Sequence, residues 1–224
     1  MTVEQDTTLV DLVDAALPHV AFDGWSPATF SAAVRDSGVD PALAKALAPR
    51  GSVDLALAFH RQGDARMAER LASADTSQLR YRDKVALAVR LRLEAAEDRE
   101  AVRRATTLFA LPPYAALGAK LLWGTADAIW TALGDTSEDI NWYTKRATLS
   151  GVYASTVLYW LGDDSPEARD TWAFLDRRIE DVMRIEKVKA GMRNAPFLKQ
   201  AIERSEHLLS RMRKPVRRSD VPGL

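Results

Sequence analysis

The stretch Ser137–Met183, SEDINWYTKRATLSGVYASTVLYWLGDDSPEARDTWAFLDRRIEDVM, sets two long helical patterns on either side of a GDDSPE break. Apolar and small residues recur through it without period-two alternation, which predicts helix and excludes strand. Ser137 reads as the N-cap of the first helix, with Glu138 and Asp139 in its first turn, where the helix dipole favours carboxylates. That helix is predicted to run to about Leu161. Asp163-Asp164-Ser165-Pro166-Glu167 stops it and starts a second, from Pro166 to about Lys189. The first turns of the helix capped at Ser137 carry Trp142-Tyr143 beside Asn141, Lys145 and Arg146. Neighbours on a helix point about 100° apart, so the two rings cannot share one direction. The polar surroundings place at least one ring at the surface, where an aromatic beside arginine makes a contact hot spot. The competing reading packs Trp142 inward and lets Tyr143 cap the core edge.

The helical pattern extends upstream. Thr8 to Leu17 reads as a short helix stopped near Pro18. Ser26-Pro27 and Asp40-Pro41 each pair an N-cap with a first-turn proline, opening helices to Ser37 and to just before Pro49. Ser52 to Ala74 follows, with Val53, Leu57, Met67 and Leu71 as core. Leu79 to Ala96 buries Val85, Ala88, Val89 and Leu93. Asp98 to Ala110 is closed by Pro112-Pro113. Tyr114 to Leu133 is apolar on most sides, which predicts a central helix. The expectation is an all-α bundle of about nine helices plus a C-terminal amphipathic helix. Its expected organisation is helix-turn-helix-like N-terminal helices over 1–75, a bundle over 76–190, and a basic tail over 191–224.

The 224 residues are 47% hydrophobic, enough for a sizeable core, and contain no cysteine. Disulfide frameworks, thiolate zinc sites and cysteine nucleophiles are excluded. The opening MTVEQDTTLVDLVDAAL is acidic and has neither the basic region nor the apolar run of a secretory signal, nor the look of a transit peptide. Net charge is zero, yet residues 182–224 hold 11 Lys/Arg against 4 Asp/Glu, leaving +7 there and −7 in the rest. In the tail, Phe197, Leu198, Ile202, Leu208 and Leu209 fall on one helical stripe with cations off it. That suits an anionic membrane surface, or docking on the chain's own core or a second copy.

Enzyme signatures are missing. The three histidines, His19, His60 and His207, sit in no nucleophile or metal motif, and HExxH, P-loop and GxGxxG patterns are absent. No catalytic residue, metal ligand or cofactor is expected. The segments 28–37 and 41–48 have helix-turn-helix dimensions. However, residues 1–50 offer only Arg35, Lys45 and Arg50 against more than twice as many carboxylates, which argues against a phosphate backbone as partner. Large and small apolar residues alternate in 117–130 and 151–160. Such faces can enclose a lipid cavity or close into a filled core, and composition does not separate the two.

These residues also carry a resemblance. GDTSEDINWYTKRATLSGVYASTVLYWLGDDSPEARDTWAFLDRRIEDVM, together with ALPHVAFDGWS (16–26) and LPPYAALGAKLLWGTADAIW (111–130), resembles the lipid-binding accessory family of ubiquinone (coenzyme Q) biosynthesis. The resemblance implies the dimeric, all-helical fold of TetR-type regulators without operator binding. It implies an isoprenoid quinone intermediate or phospholipid in the pocket, presented to the di-iron demethoxyubiquinone hydroxylase. The family's partner patch carries over onto Asp127, Ile129, Asp139, Trp142, Tyr143 and Arg146. A lipid lining is expected at Leu121, Leu122, Trp123, Val152, Thr156, Trp160 and Phe174. Membrane contacts are expected at Phe197, Leu198, Ile202, Leu208 and Leu209, on the cytoplasmic face of a bacterial inner membrane. The alternative function is a TetR-type transcriptional regulator with a hydrophobic effector pocket.

Overall fold

Local signals at helix starts become caps in the computed structural model, which describes residues 3–193. Ser26 Oγ accepts from the Thr29 N–H at 3.3 Å to open α2, Pro27–Ser37. Asp40 Oδ1 accepts from Ala42 and Leu43 at 3.0 and 2.9 Å to open α3, Pro41–Leu47. Asp98 accepts from Ala101 at 2.9 Å to open α6, Arg99–Ala110. Each cap satisfies N–H groups that the first helical turn leaves without a partner. The other helices are α1, Val3–Asp23; α4, Ser52–Ser73; α5, Tyr81–Glu94; α7, Ala115–Ala132; α8, Ile140–Leu161; and α9, Arg169–Arg193, preceded by a 3-10 turn at Pro166–Ala168. Among the described residues there are nine α-helices and no strand, as expected.

Three expectations are corrected. Pro18 does not end α1, which continues to Asp23. Leu12, Val13, Ala16 and Val20 form its fully buried face, while Pro18 is exposed, so the backbone bond that proline forfeits is lost on the solvent side. Burial of Val20 beyond the proline carries the helix on. Ser137 does not cap α8; Asp139 does, accepting from the Asn141 N–H at 2.9 Å. Finally, α7 is not central. Ala115, Ala116, Ala119, Lys120, Gly124, Thr131 and Ala132 are exposed.

The chain divides into two compact units, Met1–Ile129 and Trp130–Leu224. In the first, α1 packs on α2, α4 and α6. Its core joins the α1 face to Ala33, Ala44, Leu55, Ala56, Phe59, Ala101 and Ala105. Trp25 seals it, donating its indole N–H to the Ala101 carbonyl at 3.1 Å and tilting against Phe59. The predicted core residues of α4 and α5 are all buried. In the second unit α8 packs on α9. The α9 start is fixed by Asp163, whose carboxylate accepts from both the N–H and the hydroxyl of Thr171.

Candidate functional site

The turn after α7 organises the second unit. Gly134 takes φ +73°, a conformation that costs a side chain and suits glycine. The Gly134 N–H reaches the Thr131 carbonyl at 3.0 Å, and the Asp135 N–H reaches the Trp130 carbonyl at 2.9 Å, a Schellman closure. This delivers Asp135 into the interior, where its side chain is 1% exposed. Its Oδ1 accepts from Lys145 Nζ at 2.7 Å and from Ser137 Oγ at 2.8 Å, and its Oδ2 accepts from Arg146 Nη1 at 3.0 Å. Burial alone would raise the pKa of this carboxyl. The bonds from Lys145, Ser137 and Arg146 outweigh burial and hold it well below the usual carboxylate range. Ser137, bound to Asp135, is thereby withdrawn from capping.

Arg146 carries the arrangement onward. It is 2% exposed. Its Nη1 also donates to the Trp142 carbonyl at 3.1 Å, and its guanidinium lies 4.0 Å from the centre of the Trp142 ring. Lys145 Nζ sits 5.5 Å from the Trp130 ring. Trp142 is buried, with Arg146, Leu149 and Tyr153 continuing its inward stripe along α8. Tyr143 is half-buried and meets Trp142 edge-on, with ring centres 4.8 Å apart. The ring expected at the surface is therefore Tyr143's. Of the six residues of the expected partner patch, Asp139 is exposed, Asp127 and Tyr143 are half-buried, and Ile129, Trp142 and Arg146 are buried. Asp135, which ties the patch residues of α8 together, went unread in the sequence.

The expected lipid lining is mixed. Leu121, Val152 and Thr156 are buried, whereas Leu122, Trp123, Trp160 and Phe174 are half-buried. The Thr156 hydroxyl donates to the Val152 carbonyl at 2.7 Å, so its polar group is spent on its own helix. Phe174 stacks on Tyr159 with centres 4.5 Å apart. Between α8 and α9 lies an open pocket of about 250 Å³ lined by Thr148, Gly151, Val152, Ser155, Arg178, Asp181 and Val182. Val152 is the expected lining residue found there. The pocket is below the size of typical ligand cavities, about 300–1,000 Å³. Phe197, Leu198, Ile202, Leu208 and Leu209 lie outside the described residues.

The first unit holds a polar cluster that sequence reading also missed. Arg92 Nε donates to Asp64 at 2.6 Å and Arg92 Nη2 to the His60 carbonyl at 2.9 Å. The Thr125 hydroxyl donates to Asp64 at 2.8 Å and stands 2.8 Å from His60 Nε2. With its one proton committed to Asp64, that hydroxyl accepts from Nε2–H. Burial, then the nearby Arg92 charge, pushes the His60 pKa well down and keeps the ring neutral. A Cβ at Gly63 would stand 2.6 Å from Arg92 Nη1, so the guanidinium needs glycine there. Among the described residues no cluster of carboxylates and histidines is placed to hold a metal ion. The three N-terminal cations are engaged. Arg35 pairs with Asp36, Lys45 donates to the Pro49 carbonyl, and Arg50 clasps Asp54.

Comparison with known proteins bears out the resemblance. Residues 115–186, from α7 into α9, match the COQ9 family model. The chain is 34% identical over 181 residues to "Ubiquinone biosynthesis protein COQ9, mitochondrial" of Rattus norvegicus, covering 77% of this chain and 57% of that protein. It is 32% identical over 181 residues to the Homo sapiens protein of the same name, covering 77% and 56%. It is 29% identical over 191 residues to the probable ubiquinone biosynthesis protein coq9 of Dictyostelium discoideum, covering 80% and 61%. The match thus spans little more than half the length of these relatives. Among solved structures, a TetR transcriptional regulator from Nitrosomonas europaea ATCC 19718 superposes with a TM-score of 0.64 at 19% identity, over 78% of this chain and 97% of that one. The chain is similar to the COQ9 proteins over most of its length, and its fold is that of TetR regulators.

Proposed function

We propose, from the kinship with the COQ9 proteins, that this chain is a non-catalytic accessory protein of ubiquinone biosynthesis. It binds a prenylated quinone intermediate at the membrane surface and presents the ring to the di-iron demethoxyubiquinone hydroxylase. The observation that carries this reading is where the similarity falls. The family match over 115–186 takes in α7, α8 and most of α9, which hold the Trp142-Tyr143 pair and the apolar residues Leu121, Val152, Trp160 and Phe174.

The physical need is plain. At about 0.8 kcal/mol per buried methylene, a prenyl tail does not leave a bilayer for water. An accessory protein supplies an apolar lining at the membrane, here assigned within the second unit to Val152, Thr156, Trp160 and Phe174. The hydroxylase docks at Asp139 and Tyr143, with Trp142 and Arg146 supporting from beneath. The apolar stripe of Phe197, Leu198, Ile202, Leu208 and Leu209, with the cations beside it, holds the protein to anionic lipid on the cytoplasmic side of a bacterial inner membrane. Two copies associate as a homodimer.

Gentle purification followed by mass spectrometry of bound lipids tests the reading, with a prenyl lipid as the expected finding. A preparation free of prenyl lipid that also ignores added quinone would sink it. A DNA-binding regulator would share the TetR fold, but the cations of the helix-turn-helix region are already engaged by carboxylates and a carbonyl. No retardation of DNA is expected in a gel shift.

A further inference from the structure

We infer that Asp135 is the positioning residue of the docking surface on α8, setting the pose of Tyr143 through Arg146 and Trp142. The inference rests on the proposed function and extends it to a residue outside the partner patch. The buried carboxylate holds Arg146 at 3.0 Å, and the same Nη1 holds the Trp142 carbonyl at 3.1 Å while the guanidinium covers the Trp142 ring. Trp142 then offers its ring to Tyr143, which packs against it edge-on. Each link is a direct contact, and the chain starts from one carboxylate.

Two further observations give this arrangement a direction. Trp142 is 8% exposed, with its ring against the buried Arg146 guanidinium, so little of it is open to a partner. The surface that can be met is made by Asp139 and Tyr143, four residues apart at the start of α8. Asp139 is itself held in place as the N-cap of α8, accepting from the Asn141 backbone and side-chain N–H groups at 2.9 and 3.0 Å. The exposed Asp139 and the half-buried Tyr143 are therefore both fixed before a partner arrives. Binding energy is preserved when interface side chains are ordered in advance. Asp135 performs that ordering from beneath, at the turn that Gly134 closes.

The test uses the full chain and the purified demethoxyubiquinone hydroxylase of the same organism. Affinity is measured for wild type, Asp135→Asn, Arg146→Lys, Lys145→Met, Tyr143→Ala and Trp142→Ala. Acrylamide quenching of Trp142 is read as the difference between each protein and its Trp142→Phe counterpart. Asp135→Asn is expected to weaken Kd about tenfold, at unchanged helicity, and to raise Trp142 quenching. Arg146→Lys, which keeps the charge and loses the planar cover, is expected to do both to a smaller degree. Tyr143→Ala is expected to weaken Kd without changing Trp142 quenching. An Asp135→Asn protein that quenches more yet binds equally or more tightly overturns the inference, and if Tyr143→Ala still weakens binding the accessory role stands. If neither Tyr143→Ala nor Trp142→Ala alters Kd, the docking assignment itself fails. Should Asp135→Asn lose helicity, Lys145→Met decides. It removes one of the three groups holding the carboxylate, and a Kd unchanged from wild type overturns the inference.

Discussion

His60 shows how one buried side chain ties stability to pH. Its ring donates to the Thr125 hydroxyl, and burial together with Arg92 depresses its pKa well below the ordinary value of about 6.5. The unfolded chain therefore takes up a proton near pH 6.5 while the folded one does not. Wherever the unfolded state binds more protons, stability falls as pH falls. The loss starts below about pH 6.5 and runs at about 1.4 kcal/mol per pH unit until the depressed folded pKa is reached. Thermal melts between pH 7.5 and 5 should show this slope, and His60→Gln should flatten it. A slope unchanged in that variant would show that His60 is not its source. Asp135 acts in the same direction at lower pH. Its carboxylate contributes stability above about pH 4 and loses it only as pH falls through its depressed folded value.

At the scale of the element, Pro18 is the instructive residue. An interior proline costs a helix roughly 3 kcal/mol, from a lost hydrogen bond and a clash with the preceding turn. Here α1 bears that cost because Val20 and the rest of its buried face hold the last turn down. Pro18→Ala restores the N–H to a solvent-facing position, at the expense of a freer unfolded chain. A net gain of about 1–2 kcal/mol is expected, seen as a higher Tm, and a lower Tm would show that the ring packs favourably where it stands. The same contrast explains what could be read in advance. Caps at Ser26, Asp40 and Asp98 are decided within three residues, so their helices were legible. The inward stripe of α8 was legible as an aromatic-basic pattern, though not which ring faces out. Asp135 was not, because its partners lie ten and eleven residues away across a turn that only the Gly134 conformation creates. The cluster of His60, Asp64, Arg92 and Thr125 spans separations of 28 to 65 residues and leaves no local pattern. The exposed face of α7 was misread for another reason. Alanine and glycine are apolar yet small, so a stripe of them costs little in water and marks no inward direction.

For the whole molecule, the uneven charge is the property that bears on where the protein works. Residues 182–224 carry +7 and the remainder −7, and no helix of the described residues is long and apolar enough to cross a membrane. Attachment to a bilayer, on the reading proposed here, therefore rests on the basic end and its apolar stripe. Cations near an anionic leaflet contribute about 1 kcal/mol each, an attraction that salt screens. The apolar side chains add a part that salt leaves alone. The full chain should sediment with phosphatidylglycerol vesicles, weakly with phosphatidylcholine vesicles, and less at about 0.5 M than at about 0.1 M salt. Phe197→Glu with Leu208→Glu places two carboxylates on the stripe, leaving all 11 cations of residues 182–224 in place. Vesicle binding should fall at least about tenfold, while Kd for the hydroxylase in solution is unchanged because Asp139 and Tyr143 are untouched. If the double variant still sediments like wild type at both salt concentrations, the stripe is not the anchor and the bilayer contact belongs to another face of the protein.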